Sequence, residues 1–238
     1  MRNNSIFAFL ALVILSSCNI FGGKRINGNG NVVTETHDLT GFTEISVGGA
    51  IDLYISQGSS YSIKVVTDEN LHEFVSIRKD GDELEIRPEH NMNLNGSSGI
   101  KVYVTCPTIH KLGASGASDI VAETALQGGE LSIDLSGASS AKVELDYTDV
   151  DLELSGASSA ELRGNAKRIA IEGSGASEVK AMDLTTADAD VDISGASNVS
   201  IFVTESLKAE ASGASEIVHS GGARVNSNTS GASSVRAK

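Results

Sequence analysis

The sequence predicts an all-β protein whose strands stack as the coils of a parallel β-helix, a type of solenoid. The first observation is the tetrapeptide Ser-Gly-Ala-Ser, which occurs seven times between Ser115 and Ser233 at intervals of 18 to 21 residues. The second is the alternation of apolar and polar residues on both sides of each copy, which is typical of half-buried strands. A unit of this length cannot bury its own apolar face, whereas identical units stacked along one axis can.

The unit can be described by counting from the first serine of a copy. Around Ser155, for example, positions minus five, minus three and minus one hold Val150, Leu152 and Leu154, and position plus seven holds Leu162. The glycine lies where the chain must bend between two strands, and the alanine is expected where that corner turns inward and space is short. At about 4.8 Å per coil, seven copies would build a rod roughly 30 Å long.

The last copy differs from the others. It is preceded by Val225, Ser227 and Thr229, so its inward-facing positions are nearly polar. Polar inward residues are expected of a terminal coil, which must keep the open edges of the sheets from pairing with another chain. The alternative arrangement is a sandwich of antiparallel hairpins, although hairpins do not require the same tetrapeptide in every unit.

Residues 1–17 predict a lipoprotein signal peptide. A short basic start is followed by an apolar run, Ile6 to Leu15, that is too short to span a bilayer, and Leu15-Ser16-Ser17-Cys18 has the form of a bacterial lipobox. Cys18 would carry the lipid, and two or three acyl chains suffice for stable anchoring. An ordinary signal peptide followed by a chance cysteine is the alternative. Residues 18–31 are rich in Gly and Asn and are expected to form a flexible tether.

Charge and cysteine content restrict the partners. The chain has 18 Lys and Arg against 31 Asp and Glu, a formal net charge of −13. A chain with this negative charge is not expected to bind nucleic acid or anionic lipid headgroups, whereas its carboxylates can attract divalent cations. With Cys18 lipidated, Cys106 is the only free thiol, and its place on the apolar side of an alternating strand favours a buried structural cysteine over a nucleophile.

Residues 32–107 predict an N-terminal β region that is continuous with the repeat β-helix of residues 108–238 but less regular. Gly48-Gly49-Ala50 stands between two alternating stretches and looks like a worn copy of the repeat. Asp68 is the expected N-cap of a short helix over residues 69–74. Two alternating runs joined by Lys79-Asp80-Gly81-Asp82 predict a β-hairpin.

Little in the sequence indicates catalysis. Ser139–Lys142 and Ser177–Lys180 match the S-x-x-K motif, but that motif needs a helix to bring serine and lysine together, and here both copies lie at strand edges. The five histidines are scattered without metal-ligand spacing. A serine motif that recurs seven times is also an argument against a nucleophile, because an active site needs that residue only once.

One group of charged residues stands out: an acid occurs two residues before the tetrapeptide in five successive units. These acids are Asp134, Glu153, Glu172, Asp192 and Glu210. If the units stack in register, the carboxylates form a column at about 4.8 Å spacing and raise one another's pKa values unless a cation intervenes. The column is then either a stripe that binds a ligand or, weakly, Ca²⁺, or a solvated acidic face whose side chains splay apart. No other cofactor is expected.

Several of these segments resemble the head GIN domain family, described as autotransporter-type adhesins of Bacteroidota-like bacteria. They are the lipobox, Gly41-Phe42-Thr43-Glu44-Ile45, the strand from Ile51 to Gly58 and the Ser-Gly-Ala-Ser coils, so the resemblance covers about residues 30–238. It implies a right-handed parallel β-helix and a cell-envelope location, and it supplies no catalytic residues. In that group, surface-exported lipoproteins often carry acids soon after the lipidated cysteine. Residues 19–23 have none, which leaves both faces of the outer membrane open.

The predicted function is therefore that of a non-enzymatic, lipid-anchored outer-membrane protein of the cell envelope. Its β-helix would present a binding or adhesive surface to an envelope, glycan or host ligand. One alternative is a polysaccharide-active β-helix enzyme, a lyase or hydrolase, since fold alone does not decide function. The lack of Trp and the 4% aromatic content, which leave few rings to stack on sugars, argue against it. A second alternative is a structural spacer without a ligand.

Overall fold

The structure, a computed structural model, describes residues 23–238, so the predicted signal peptide and Cys18 lie outside the described residues. The chain forms a β-solenoid of about seven turns, which confirms the predicted all-β fold of β-helix type. No helix between Gly23 and Lys238 is both long and apolar enough to cross a membrane.

Nineteen strands build the fold between Gly23 and Lys238. Those of the N-terminal region are β1 (Lys24–Asn27), β2 (Val32–His37), β3 (Glu44–Gly48), β4 (Asp52–Gln57), β5 (Ser62–Asp68), β6 (Val75–Asp80), β7 (Glu83–Pro88), β8 (Met92–Asn95) and β9 (Lys101–Cys106). Those of the repeats are β10 (Lys111–Ser115), β11 (Asp119–Ala122), β12 (Leu126–Leu135), β13 (Ser140–Leu154), β14 (Ser159–Gly173), β15 (Glu178–Ile193), β16 (Asn198–Ala211), β17 (Glu216–Ser220), β18 (Arg224–Thr229) and β19 (Ser234–Ala237). A 3₁₀ helix, Glu69–Phe74, follows β5.

The repeats stack in parallel, each strand pairing with its counterpart one coil away. The strands before the tetrapeptides form one side, here called the front face, in the order β7, β3, β10, β12, β13, β14, β15, β16, β18. The strands after them form the back face, in the order β9, β4, β11, β13, β14, β15, β16, β17, β19. Strands β13 to β16 are long because each runs from the back face of one coil, around a third side, to the front face of the next.

The N-terminal region joins the same solenoid, but its coils are not stacked in chain order. Strand β3 pairs in parallel with β7 on one side and with β10 on the other, so the β3–β4 coil lies between two coils that follow it in sequence. Gly48-Gly49-Ala50 occupies the corner next to Ser115, as expected of a worn repeat. Alternation of apolar residues predicts which face of a strand is buried, but not which strand is its neighbour.

Antiparallel strands close this end of the solenoid, which we call the capped end. Strand β5 pairs antiparallel with β9 and β2 on the back face, and β6 pairs antiparallel with β7 on the front face. The β6–β7 pairing confirms the predicted hairpin. The 3₁₀ helix spans the predicted residues, with Leu71 buried, but the expected capping contact is wrong: Asp68 makes no side-chain hydrogen bond to the helix and turns instead toward Gly30 and Ser97.

The expected tether differs in its second half. Lys24–Asn27 forms β1 and pairs in parallel with β8 in a separate two-stranded sheet. Half-buried Ile26 packs against the core, which gives the segment an apolar contact that a free linker lacks. Composition alone misses this strand because its partner lies almost seventy residues away in the sequence.

Each tetrapeptide makes a corner in which the second serine, and not the alanine, points inward. The prediction that the alanine turns inward is wrong, since all seven alanines are exposed. The buried serines are Ser118, Ser139, Ser158, Ser177, Ser197 and Ser215. From Ser139 onward, the hydroxyl donates to the carbonyl of the first serine of the same copy, at 2.7 Å for Ser158 to Ser155. The turn carbonyl is therefore satisfied inside the corner.

The glycine is required at these corners for two reasons. Gly156 has φ +80°, a conformation that L side chains rarely adopt. A Cβ on Gly156 would also lie 2.6 Å from the carbonyl oxygen of Gly137 in the preceding coil. The corners stack this closely because, from Ala138 onward, the alanine amide donates to the glycine carbonyl one coil earlier, at 2.7 Å for Ala157 to Gly137.

The core is a continuous apolar column between the faces. Cys106 has no exposed surface, which confirms the buried structural cysteine, and burial raises the pKa of its thiol to about 11. At the other end, β18 and β19 each pair on one side only. Val225 there is 40% exposed and is followed by exposed Ser227 and Thr229, in agreement with the predicted polar terminal coil.

Candidate binding surface

The predicted acidic residues lie in register on the front face. Asp134 pairs with Glu153, Glu153 with Glu172, Glu172 with Asp192, and Asp192 with Glu210, each on the neighbouring strand. We call this row of five side chains the acidic column. Its formation follows directly from the equal placement of the acids before each tetrapeptide.

Ion pairs neutralise both ends of the acidic column. Lys111 Nζ lies 2.5 Å from Asp134 Oδ2, and Lys208 Nζ lies 3.1 Å from Glu210 Oε1. Asp134 raises the pKa of Lys111, and Glu210 together with Asp190 raises that of Lys208. Within residues 23–238 the three central acids of the column, Glu153, Glu172 and Asp192, form no ion pair. The negative charge of the column is thus concentrated in its middle.

The acidic column is a straight row and does not fold back on itself. Each strand contributes one carboxylate, and in the part of the chain that the structure describes no group of three or more His, Cys, Asp or Glu side chains is placed to hold a metal ion. Calcium binding needs several oxygens around one ion. Calcium binding at the column therefore stays a prediction for experiment.

A shallow groove of about 420 Å³ runs beside the acidic column. One wall is formed by the carboxylates from Asp134 to Asp192, and the other by the first serine of each tetrapeptide, at Ser136, Ser155, Ser174 and Ser194. The polar groups that the groove offers to a ligand are carboxylates, hydroxyls and main-chain groups.

A second groove, of about 620 Å³, lies further from the tetrapeptides on the same face, and we call it the mixed-charge groove. Its outer row, six residues before each tetrapeptide, is Asp149, Arg168, Asp188, Ser206 and Arg224. The Arg168 guanidinium pairs with both oxygens of Asp149, at 2.5 and 2.7 Å. Its inner row includes Ala170, whose small side chain leaves space between the rows.

Sequence reasoning missed the mixed-charge groove, although the signal is present. Reading the position six residues before each tetrapeptide gives an acid, a base and an acid in three successive units. The position two residues before the tetrapeptide, by contrast, carries an acid in five successive units, which is a simpler pattern to recognise in the sequence. Opposite charges on neighbouring strands stabilise one another, whereas like charges repel.

The back face carries an aromatic pair that the sequence did not reveal. Tyr54 and Tyr103 are partners on β4 and β9, and their rings stack with centroids 4.8 Å apart. Both side chains are half-buried. They are far apart in sequence, and only the parallel pairing of these two strands brings them together.

The two S-x-x-K matches have other roles. Ser139 and Ser177 are buried and donate to backbone carbonyls of their own corners, at 2.9 and 2.8 Å. Lys142 Nζ lies 3.5 Å from Glu161 and Lys180 Nζ 3.0 Å from Glu178. Each serine hydroxyl is thus engaged in the turn that its tetrapeptide builds.

Known structures share this fold. A putative adhesin from Bacteroides fragilis matches with a TM-score of 0.84 at 18% identity, over 90% of this chain and 100% of that one. A putative lipid binding protein from Parabacteroides distasonis matches with a TM-score of 0.76 at 21% identity, over 90% and 100%. A putative adhesin from Parabacteroides merdae matches with a TM-score of 0.73 at 23% identity, over 90% and 99%. At these identities the likeness concerns the fold alone. No curated protein matches the chain significantly.

Family membership follows from the sequence itself. One family model matches residues 41–223, which include the N-terminal coils and most of the repeats. This chain therefore belongs to the family described as putative auto-transporter adhesin, head GIN domain.

Proposed function

We propose that this protein is an adhesin-type binding protein of the cell envelope, anchored in the outer membrane through a lipid on Cys18 and without enzymatic activity. The observation that carries the proposal is membership in an adhesin family over most of the chain. A lipobox before Cys18 supports the anchor.

The front face is the proposed binding surface. Its side chains are held on strands that pair continuously from β7 to β18, so their spacing is fixed before a ligand arrives. The mixed-charge groove combines half-exposed Arg168 and Lys208 with neighbouring carboxylates. Such a surface suits an envelope, glycan or host ligand that offers hydroxyl and charged groups at regular intervals.

Two features support a binding role over catalysis. The recurrent serines serve the corners, where their hydroxyls donate to backbone carbonyls. The charged residues of the front face repeat from coil to coil, whereas an active site needs one set of groups at one place. Release of products from uronate polymers by the purified protein would contradict the proposal.

Binding can be tested with paired variants. Three purified proteins are compared: wild type, the front-face variant Arg168→Gln/Asp188→Asn and the back-face control Lys180→Gln/Glu178→Gln. The two variants remove the same number of charges. We expect binding to glycan arrays and envelope extracts to weaken by tenfold or more in the first variant, about 1.4 kcal/mol, and to persist in the control. Equal binding by all three proteins would exclude the mixed-charge groove as the binding surface.

The anchor has its own test. Cys18→Ser removes the thiol that receives the lipid, so we expect the variant to lose label from a fatty-acid analogue and to leave the membrane fraction or remain unprocessed. The control is Cys106→Ser, which removes the buried thiol and should keep the label. Label that persists on Cys18→Ser would show that the lipid is elsewhere or absent.

A further inference from the structure

We infer that the capped end of the solenoid is the surface that lies against the membrane, so that the Ser-Gly-Ala-Ser coils project away from the lipid. The partner of this surface is a lipid headgroup layer. This inference rests on the proposed lipid anchor at Cys18, and four observations carry it.

The chain is fixed to the capped end immediately after the anchor segment. The Lys24 amide donates to the Asn91 carbonyl at 2.7 Å, and the Gly28 amide donates to the Asn95 carbonyl at 2.9 Å. Between these two contacts β1 pairs with β8 along its whole length. The segment that leads to Cys18 therefore starts from a defined point and not from a loose tail.

A buried carboxylate fastens the next residues. Asp68 has no exposed surface, and its Oδ1 accepts from the Gly30 amide at 2.6 Å and from Ser97 Oγ at 2.8 Å, while its Oδ2 accepts from the Ser97 amide at 2.7 Å. Asn70 adds two contacts, since its Oδ1 accepts from the Asn29 amide and its Nδ2 donates to the Asn27 carbonyl, both at 2.9 Å. We call this set of contacts the Asp68 clasp. It joins the N-terminal segment to β5 and to the loop after β8.

The chain between anchor and solenoid is short. Lys24 follows Cys18 by six residues, and six extended residues span at most about 21 Å. The front face from β7 to β18 contains eight strand spacings of about 4.8 Å, or about 38 Å. A lipid on Cys18 thus holds the capped end near the headgroups, while the β18–β19 end can reach much further away.

Local charge favours the same orientation. Strands β1 and β8 contain no carboxylate and expose Lys24, Arg25 and several asparagines. Glu69 and Glu89 on adjoining segments are engaged by Asn31 and Arg78. The acidic column lies on the later coils, where it would be repelled by an anionic membrane if the solenoid lay flat. Exposed Glu35 on β2 and Glu73 on the 3₁₀ helix lie on adjoining segments, so the basic patch is confined to Lys24 and Arg25 and the lipid on Cys18 has to supply most of the attachment.

The orientation can be measured with two fluorescent reporters on the full lipidated protein. Asn93→Cys places a thiol on exposed β8, and Asn226→Cys places one on exposed β18. Cys106 does not compete for the label because it is fully buried and its thiol pKa is raised. The protein is reconstituted in vesicles of phosphatidylethanolamine and phosphatidylglycerol that contain a small fraction of headgroup spin-labelled lipid, a quencher of short range.

We expect the Asn93→Cys reporter to lose most of its fluorescence and the Asn226→Cys reporter to lose almost none. Ten Gly/Ser residues inserted directly before Gly23 should reduce quenching of the first reporter, because the capped end is then no longer held close. Equal quenching of both reporters, stronger quenching at Asn226→Cys, or an insertion without effect would overturn the orientation. A protein that fails to float with the vesicles would instead contradict the lipid anchor, so the two failures are distinguishable.

Discussion

At the corners of Ser139, Ser158, Ser177, Ser197 and Ser215, a buried serine hydroxyl donates to the carbonyl of the serine three residues earlier. The alanine beside it contributes its amide, which donates to the glycine of the preceding coil. The glycine and the second serine are therefore required at the corner by their own conformation and side chain, whereas the first serine and the alanine contribute main-chain groups that other residues also carry. The same division explains why Gly48-Gly49-Ala50-Ile51 is tolerated at one corner: Ile51 fills the inward position with a buried apolar side chain.

Removal of one corner hydroxyl tests this account. Ser158→Ala should destabilise the protein by about 1 kcal/mol, because the Ser155 carbonyl loses its donor inside a buried corner. In a chain of this size the melting temperature should fall by about 2–4 °C. The matched control is Ser155→Ala in the same tetrapeptide, whose side chain is exposed and should be nearly neutral. Equal losses for both variants would show that the buried hydroxyl has no special role.

Asp68 provides a second test at the residue scale, through pH. Burial alone would raise the pKa of this carboxyl, but the hydrogen bonds from Ser97 and Gly30 outweigh burial and hold the pKa below its ordinary value. A carboxyl with a depressed pKa stabilises the fold above its unfolded pKa of about 3.9, and that contribution is lost as the pH falls through the folded pKa.

We therefore expect Asp68→Asn to be less stable than wild type at pH 7 and the difference to shrink as the pH falls below about 4. Urea unfolding of both proteins between pH 7 and pH 3 measures this difference in the free energy of unfolding. Asp183→Asn, at an exposed position, serves as the control for general charge effects. A stability difference that stays constant to the lowest pH would rule out the charge-dependent clasp.

At the scale of elements, the strands are held in parallel register by corners that must stack. The glycines of successive corners approach so closely that a Cβ on Gly175 would lie 2.4 Å from the carbonyl oxygen of Gly156. One corner therefore fixes the position of the next, and a defect in the middle affects both neighbouring coils. The terminal corner has a neighbour on one side only within the described chain.

Valine substitutions along the row of corners test this coupling. Gly156→Val and Gly175→Val should each destabilise by roughly 1–3 kcal/mol, through backbone strain at φ near +80° and the clash with the preceding coil. Gly231→Val should cost less, although its φ is +76°, because the coil of β18 and β19 can fray without opening the core. Calorimetry gives the three melting temperatures. Equal shifts would contradict a stacked rod with a less stable end.

At the scale of the whole molecule, the sequence repeat places equivalent residues of successive coils next to one another on one face of the solenoid. Acids separated by about nineteen residues in sequence become neighbours on adjacent strands, and the front face acquires the acidic column and the mixed-charge groove side by side. The capped end differs, since its strands are antiparallel and carry the N-terminal segment. The solenoid therefore has one end suited to attachment and one long face suited to contact.

The acidic column allows a prediction about ions. Relief of repulsion should make Glu153→Gln/Glu172→Gln more stable than wild type at low salt, by up to about 1 kcal/mol, and the gain should vanish at high salt. If the column is only a solvated face, in keeping with the lack of a metal-holding carboxylate cluster within residues 23–238, calcium should raise the melting temperature no more than sodium at equal ionic strength. A larger shift with calcium in the wild type, reduced in the double variant, would instead establish the calcium stripe.

The sequence by itself determined the solenoid. The alternation that flanks each Ser-Gly-Ala-Ser copy determined which strand residues face inward, and the equal spacing determined the parallel register, so the acidic column could be named residue by residue. The hairpin after Phe74 and burial of Cys106 followed from equally local patterns. These predictions succeed because a repeat makes distant contacts a consequence of local ones.

Only the tertiary structure decided contacts between segments that do not repeat. The order of the first coils, the pairing of β1 with β8, the Asp68 clasp and the stack of Tyr54 on Tyr103 all join residues with no common period. The orientation of the corner was also hidden, because alanine and serine are both small and either fits an inward position. The hydrogen bond to the turn carbonyl makes the serine the inward residue, since that carbonyl needs a donor that alanine's side chain lacks.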